Sequence, residues 1–327
     1  FKQKTAYEIR LSLVGSEMCI RDRLWYFDKG LQTIKTSTNT ALGEEYMNKA
    51  IAYVPLDIYH RIMSEIGVIK MSNLLNTTDK NIKPEDIQKQ FSDTLSATIV
   101  HGLSAKNTDD KNYLNWIALG KVYESVAIPD LKIAGAYESA QFAYGEALQR
   151  NPKNPGIIML FALLEVDKGN LVQAKNYVMQ AIQMKPNYLE AYYLLTQIEV
   201  ANNNLKGAIE SVTAVSILSP TDPTIFFQLG LLKFNAQDFV GAIPAFQESI
   251  KLSPQYANAK YYLGLSYEVT GQRPKAIQEF QDLKASNPDN KEVQTILNVL
   301  LSNKPLFTTA PEATKPGKSS LPVKENQ

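Results

Sequence analysis

The sequence predicts an all-α fold, a solenoid of antiparallel helix pairs stacked one on the next. Three observations carry that reading. Pro152, Pro186, Pro220, Pro254 and Pro288 stand 34 residues apart. Ala140, Ala174, Ala208, Ala242 and Ala276 keep the same spacing, and four residues after each comes a bulky Tyr144, Val178, Val212, Phe246 or Phe280. Leu-Gly recurs at Leu119-Gly120, Leu229-Gly230 and Leu263-Gly264, with Tyr123 and Tyr267 three residues further on. Self-similarity at such a period marks an array of supersecondary units, each too small to bury its apolar face alone. With 16 prolines in 327 residues, four successive prolines fall in register by chance less than about once in a hundred thousand times.

Taken in chain order, Phe1–Arg23 (FKQKTAYEIRLSLVGSEMCIRDR) fits nothing downstream. It resembles a translated sequencing adapter. The codons AAG CAG AAG ACG GCA TAC GAG AT give Lys2 to Ile9, and a second adapter stretch gives Leu13 to Asp22 after a gap of barcode length. Glu8, Arg10, Glu17 and Arg21 interrupt every apolar run, unlike a secretory leader. On this reading Cys19 is not native and the true N-terminus lies upstream. Residues 24–112 read as degenerate repeats. Leu24–Leu56 fits one, with Ala50 and Pro55 in place. Asp57–Asn112 fits another, with a loop-like insert around Asn73–Pro84. The unit 113–154 is eight residues too long, its insert near Ser125–Ala136. Units 155–188, 189–222, 223–256 and 257–290 are regular. Residues 291–303 carry Val293, Ile296, Leu297 and Leu300 at helical spacing and are expected to cap the stack. Residues 304–327, rich in Pro, Ser, Thr and Lys, are expected to form a disordered tail. Pro244 falls inside the second helix of its unit, where it either kinks the helix or is tolerated near the first turn.

Composition narrows the chemistry. Apolar residues are 44% of the chain and charged residues 20%, the balance of a folded protein. Thirty-four basic against 33 acidic residues leave a net charge of +1, so the excess of cations that drives nucleic-acid binding is missing and no nucleic-acid partner is expected. One cysteine and two histidines, His60 and His101, leave little for a disulfide framework, a zinc site or acid–base chemistry. Both histidines read as surface or packing residues. There is no Gly-x-Ser-x-Gly elbow and no phosphate loop ending in Gly-Lys-Ser/Thr. No catalytic, metal or cofactor residue is assigned. No run of 18 apolar residues supplies a transmembrane helix.

The period and its small and large positions resemble a tetratricopeptide repeat (TPR) array. The resemblance implies a right-handed superhelix in which each unit pairs a helix A with a helix B. The glycine and alanine positions allow close helix approach, and the proline stops helix B. It also implies that helix A lines a concave groove, with repeat positions two, five, nine and twelve facing in. Position five is Met159, Tyr193, Phe227 and Tyr261. Position nine is Leu163, Gln197, Leu231 and Leu265. Position twelve is Val166, Val200, Phe234 and Glu268. The aromatic ladder at position five either packs within the stack or lines a site for an apolar, extended segment of a partner protein. A carboxylate clamp of the kind some relatives use is not expected, because position nine is mostly Leu or Gln and only Lys121 is basic there.

A narrower likeness lies in Leu114–Pro155 and in Asp222–Asn235 (DPTIFFQLGLLKFN). Both are similar to the TPR region that follows the membrane part of bacterial O-antigen-ligase-like polytopic proteins. That resemblance implies a domain on the extracytoplasmic face of a bacterial membrane, tethered by an upstream segment, with the glycan chemistry carried elsewhere. The sequence reading therefore favours a non-catalytic protein-binding scaffold. Its alternative is an accessory domain of a membrane glycan ligase or polymerase.

Overall fold

In the computed structural model, the structure describes residues 22, 24–33, 40–77, 83–128, 131, 133–307 and 322–323. Among them every regular element is a helix, as expected. The sequencing-adapter reading of 1–23 and most of the tail reading fall outside the described residues. The chain forms two compact units, 1–174 and 175–327.

In the first unit a helical segment over 24–33 precedes α1 (Thr40–Tyr53), α2 (Asp57–Leu75), α3 (Pro84–Thr108), α4 (Tyr113–Glu124), α5 (Ala136–Arg150) and α6 (Pro155–Asp167). Met47, Met63 and Ile66 are buried together beneath Phe27 and Leu31. The start of α2 is tied to the start of α4 by a polar cluster. Asp57 Oδ2 accepts from the side-chain amides of Asn112 and Asn115, each at 2.9 Å, and Arg61 donates to Asn115 Oδ1 at 2.6 Å. α4 and α5 pair through Gly120, whose missing side chain makes room for the ring of Tyr144.

Helix α7 (Leu171–Met184) carries the boundary between the units. The second unit continues with α8 (Leu189–Ala201), α9 (Leu205–Leu218), α10 (Pro223–Asn235), α11 (Phe239–Leu252), α12 (Ala257–Val269), α13 (Arg273–Ser286) and α14 (Lys291–Leu301). Helices α6, α8, α10 and α12 each have 13 residues and α7, α9, α11 and α13 each have 14.

The repeat is visible atom by atom. All five alanines and the five bulky residues that follow them are at most 1% exposed. In the pairs that carry the Leu-Gly motif, the bulky residue of helix B lies over the glycine of its own helix A. A Cβ on Gly230 would stand 2.6 Å from the Phe246 ring, and one on Gly264 2.7 Å from the Phe280 ring. The A-to-B turn is also repeated. Gly169, Asn203, Gln237 and Gly271 sit at φ of 80°, 55°, 60° and 77°. This left-handed residue turns the next N–H back onto the helix. Asn170, Asn204, Asp238 and Gln272 donate main-chain bonds of 2.7–2.9 Å to the carbonyls five residues earlier. Asn204 and Asp238 then cap helix B by accepting from Gly207 N and Gly241 N. The B-to-A turns open with the periodic prolines. The residues before four of them, Asn151, Ser219, Ser253 and Asn287, lie at φ of −140°, −132°, −137° and −132°, outside the helical region, as the proline ring demands.

Pro244 does not break α11, which runs through it with the proline on the exposed face. Helix α14 buries Val293, Ile296, Leu297 and Leu300 against the last pair. The tail differs from expectation where it is described. Leu306 and Phe307 pack against this cluster, and Val323 is 1% exposed within it. Composition alone predicted disorder because the tail cannot fold on itself, but Val323 is ordered by contact with the repeats.

Candidate functional site

The residues read as groove-lining divide into two sets. In the first unit, Met159 is buried in α6 while Leu163 is 41% exposed. In the second, Phe227, Phe234, Tyr261 and Leu265 are buried, whereas Tyr193 and Leu231 are half-buried and Gln197 is exposed. The aromatic ladder is thus core at two of its three rungs in this unit. Phe227 meets the rings of Tyr256, Phe246 and Tyr262 at centroid distances of 4.9, 6.0 and 6.0 Å. Phe234 stands edge-on to Phe239 and Tyr262. Tyr261 is edge-on to Phe280 and donates its hydroxyl to Glu292 of α14 at 2.6 Å. Burial, then Glu292, pushes the Tyr261 hydroxyl well above the usual tyrosine range. These rings therefore serve the stack and its cap.

An open cleft of about 460 Å³ remains between α8 and α10. Tyr193, Gln197 and Val200 line one wall, and Gln228, Leu231 and Leu232 the other. Its floor rests on the cluster of Ala208, Val212, Ile225 and Leu229. The surface is apolar with two side-chain amides and a phenol, groups that donate and accept without carrying charge. Such a cleft suits an extended peptide, whose main chain needs hydrogen-bond partners and whose side chains need apolar contact. Position nine places Gln197 and Leu231 on this cleft. Position five places only Tyr193 there, because helix A of the next repeat and the cap cover Phe227 and Tyr261.

Two features of the first unit had no signal in the sequence. His60 on α2 and His101 on α3 face one another, Nδ1 to Nδ1 at 3.0 Å, so one ring donates to the other. Burial lowers the pKa of both, and each is half-buried rather than isolated on the surface. Glu124 at the end of α4 accepts from the Tyr144 hydroxyl at 2.6 Å, while its second oxygen is buried without a hydrogen-bond partner. Burial pushes this carboxyl up to about 7, aided by Asp167 and opposed by Tyr144 and Lys121. Among the described residues, no group of three or more His, Cys, Asp or Glu is placed to hold a metal ion, and no helix is long and apolar enough to cross a membrane.

With this geometry established, the fold is that of tetratricopeptide repeat proteins. The sequence profile described as Tetratricopeptide repeat matches residues 234–300. The chain is 23% identical over 169 residues to a BBSome complex member, the BBS4 homolog of Drosophila melanogaster, covering 50% of this chain and 34% of that protein. It is 24% identical over 161 residues to the human protein O-mannosyl-transferase TMTC1, covering 48% of this chain and 18% of that protein. The chain thus spans well under half the length of either relative. Among solved structures it is similar to YrrB, described as a TPR protein with an unusual peptide-binding site, at 20% identity and a TM-score of 0.46 over 59% of this chain and 96% of that one. It is also similar to a tetratricopeptide repeat protein from Parabacteroides merdae, at 14% identity and a TM-score of 0.45 over 86% of this chain and 99% of that one.

Proposed function

We propose that this chain is a non-catalytic scaffold that holds an extended, largely apolar segment of a partner protein in the cleft between α8 and α10. The observation that carries the reading is the cleft itself. Tyr193, Gln197 and Leu231 remain at its surface while the neighbouring position-five rings are committed to packing. The test is to pan a random peptide display library against the chain and measure the enriched peptides by fluorescence anisotropy. Enriched peptides should carry apolar residues and lose at least about tenfold in affinity for Leu231→Glu. Because Leu231 is half-buried against the core cluster, the variant's melting temperature is measured alongside and compared with that of Phe227→Ala. Peptides that bind Leu231→Glu and wild type equally would overturn the reading. Phe227→Ala is the stability control, since that ring is core.

A second reading places the same domain beside a membrane glycan ligase or polymerase, on the extracytoplasmic face of a bacterial membrane and tethered by a region upstream. What supports it is the likeness of Leu114–Pro155 and Asp222–Asn235 to the TPR regions of O-antigen-ligase-like proteins, together with the partial match to a protein O-mannosyl-transferase. The gene's upstream reading frame tests it. A multi-span hydrophobic region there supports this reading, and a plain start codon close to Leu24 removes it.

A further inference from the structure

Asn258, the second residue of α12, is wholly buried, and its side-chain amide reaches beyond the helix to the main chain of Val323. Nδ2 donates to the carbonyl of Val323 at 2.9 Å, and Oδ1 accepts from the N–H of Val323 at 3.1 Å. One amide thus pairs with both main-chain groups of a single residue. Asn290, which caps α14 with its Oδ1, donates Nδ2 to the carbonyl of Pro322 at 3.0 Å. Three consecutive main-chain groups, Pro322 C=O, Val323 N–H and Val323 C=O, are therefore bound by two asparagines of the last repeat and its cap. The Val323 side chain is 1% exposed and belongs to the apolar cluster of α12, α13 and α14.

We propose that Asn258 and Asn290 form a peptide-binding site that recognises the main chain of a proline–valine segment, and that the chain's own Pro322-Val323 is its resident occupant. Hydrogen bonds to the main chain fix the path of the bound segment, while the closed apolar pocket selects a small branched side chain. Proline fits the preceding position because neither asparagine needs its N–H. Composition gives the tail no means to order itself, so the site holds the tail rather than the reverse. A tethered occupant acts at high effective concentration. An incoming segment of the same chemistry must displace it, which makes access to this site adjustable by anything that draws the tail away. The site shares no residue with the α8–α10 cleft, and either can fail without the other.

The test uses the full chain, its Val323→Asp variant and a fluorescent peptide of residues 318–327. Placing a charge on Val323 evicts the tail without altering any repeat. The peptide should bind the Val323→Asp chain and should bind wild type at least about tenfold more weakly, because there the tether competes. The same peptide carrying Val323→Asp should not bind either chain. Failure of the unmodified peptide to bind the Val323→Asp chain, or equal binding to both chains, overturns the proposal. So does binding that survives the substitution within the peptide.

Discussion

Gly264 shows how much of this fold hangs on single atoms. Its missing side chain lets one edge of the Phe280 ring approach the helix, and a methyl group would stand 2.7 Å from that ring. Because Phe280 is fully buried it cannot swing away. Gly264→Ala should therefore destabilise by about 1–3 kcal/mol, read as a lower denaturant midpoint. Gly145 on α5 is the internal control, since an added Cβ there meets nothing within 4 Å. Gly145→Ala should stabilise by about 0.5–1 kcal/mol through helix propensity and a stiffer unfolded chain.

Glu124 makes a second prediction at this scale. Its pKa is raised on folding, to about 7, so the native state binds the extra proton. Stability from this group is full below the unfolded value near 4.5 and declines as pH rises through about 7. The loss by pH 8 is on the order of 3 kcal/mol at most. Glu124→Gln keeps an acceptor for the Tyr144 hydroxyl and removes the titration. It should raise the melting temperature at pH 8 and leave it nearly unchanged at pH 4. Equal effects at both pH values would show that Glu124 does not titrate in this window.

At the scale of the element, the A-to-B turn sets the geometry of each regular pair. A residue at positive φ is followed by a main-chain bond back into helix A, and in two of the repeats Asn204 or Asp238 then caps helix B. Glycine occupies the strained place in two repeats, and Asn203 and Gln237 accept it in the others at some conformational cost. Pro244 is an exception to the local rules. It removes one main-chain donor from α11, yet the helix continues and the ring sits at the surface. Pro244→Ala should restore the bond without creating a cavity and raise stability by about 1 kcal/mol or more. A melting temperature that stays the same would mean that water already satisfies the carbonyl left behind.

At the scale of the whole chain, the pairs of 223–256 and 257–290 share one packing scheme, with glycine under a large side chain, and the cap closes the last apolar face. Residues 1–23 belong to no such pair in the sequence. A chain beginning at Leu24 should melt within about 1 °C of the full chain, since a defect of even 1 kcal/mol would move a domain of this size by about 2–4 °C. A larger drop would show that the segment packs natively.

The all-α repeat was legible in the sequence because its determining contacts are local. Gly230 and Phe246, or Gly264 and Phe280, lie within one unit, and so the demand for small and large partners recurs with the period of the chain. The candidate site was legible only in part. Helical spacing places Tyr193, Phe227 and Tyr261 at equivalent positions, but only tertiary structure decides which is covered. Phe227 is closed over by Tyr256 at the end of its own repeat and by Tyr262 of the next, and Tyr261 is claimed by Glu292 of the cap. Tyr193 has no equivalent cover and remains at the cleft. The meeting of His60 with His101 and the capture of Val323 by Asn258 depend likewise on residues brought together across 41 and 65 positions of chain. Periodicity reports which face a side chain occupies. What lies across from that face is a property of the folded neighbour, and no local pattern encodes it.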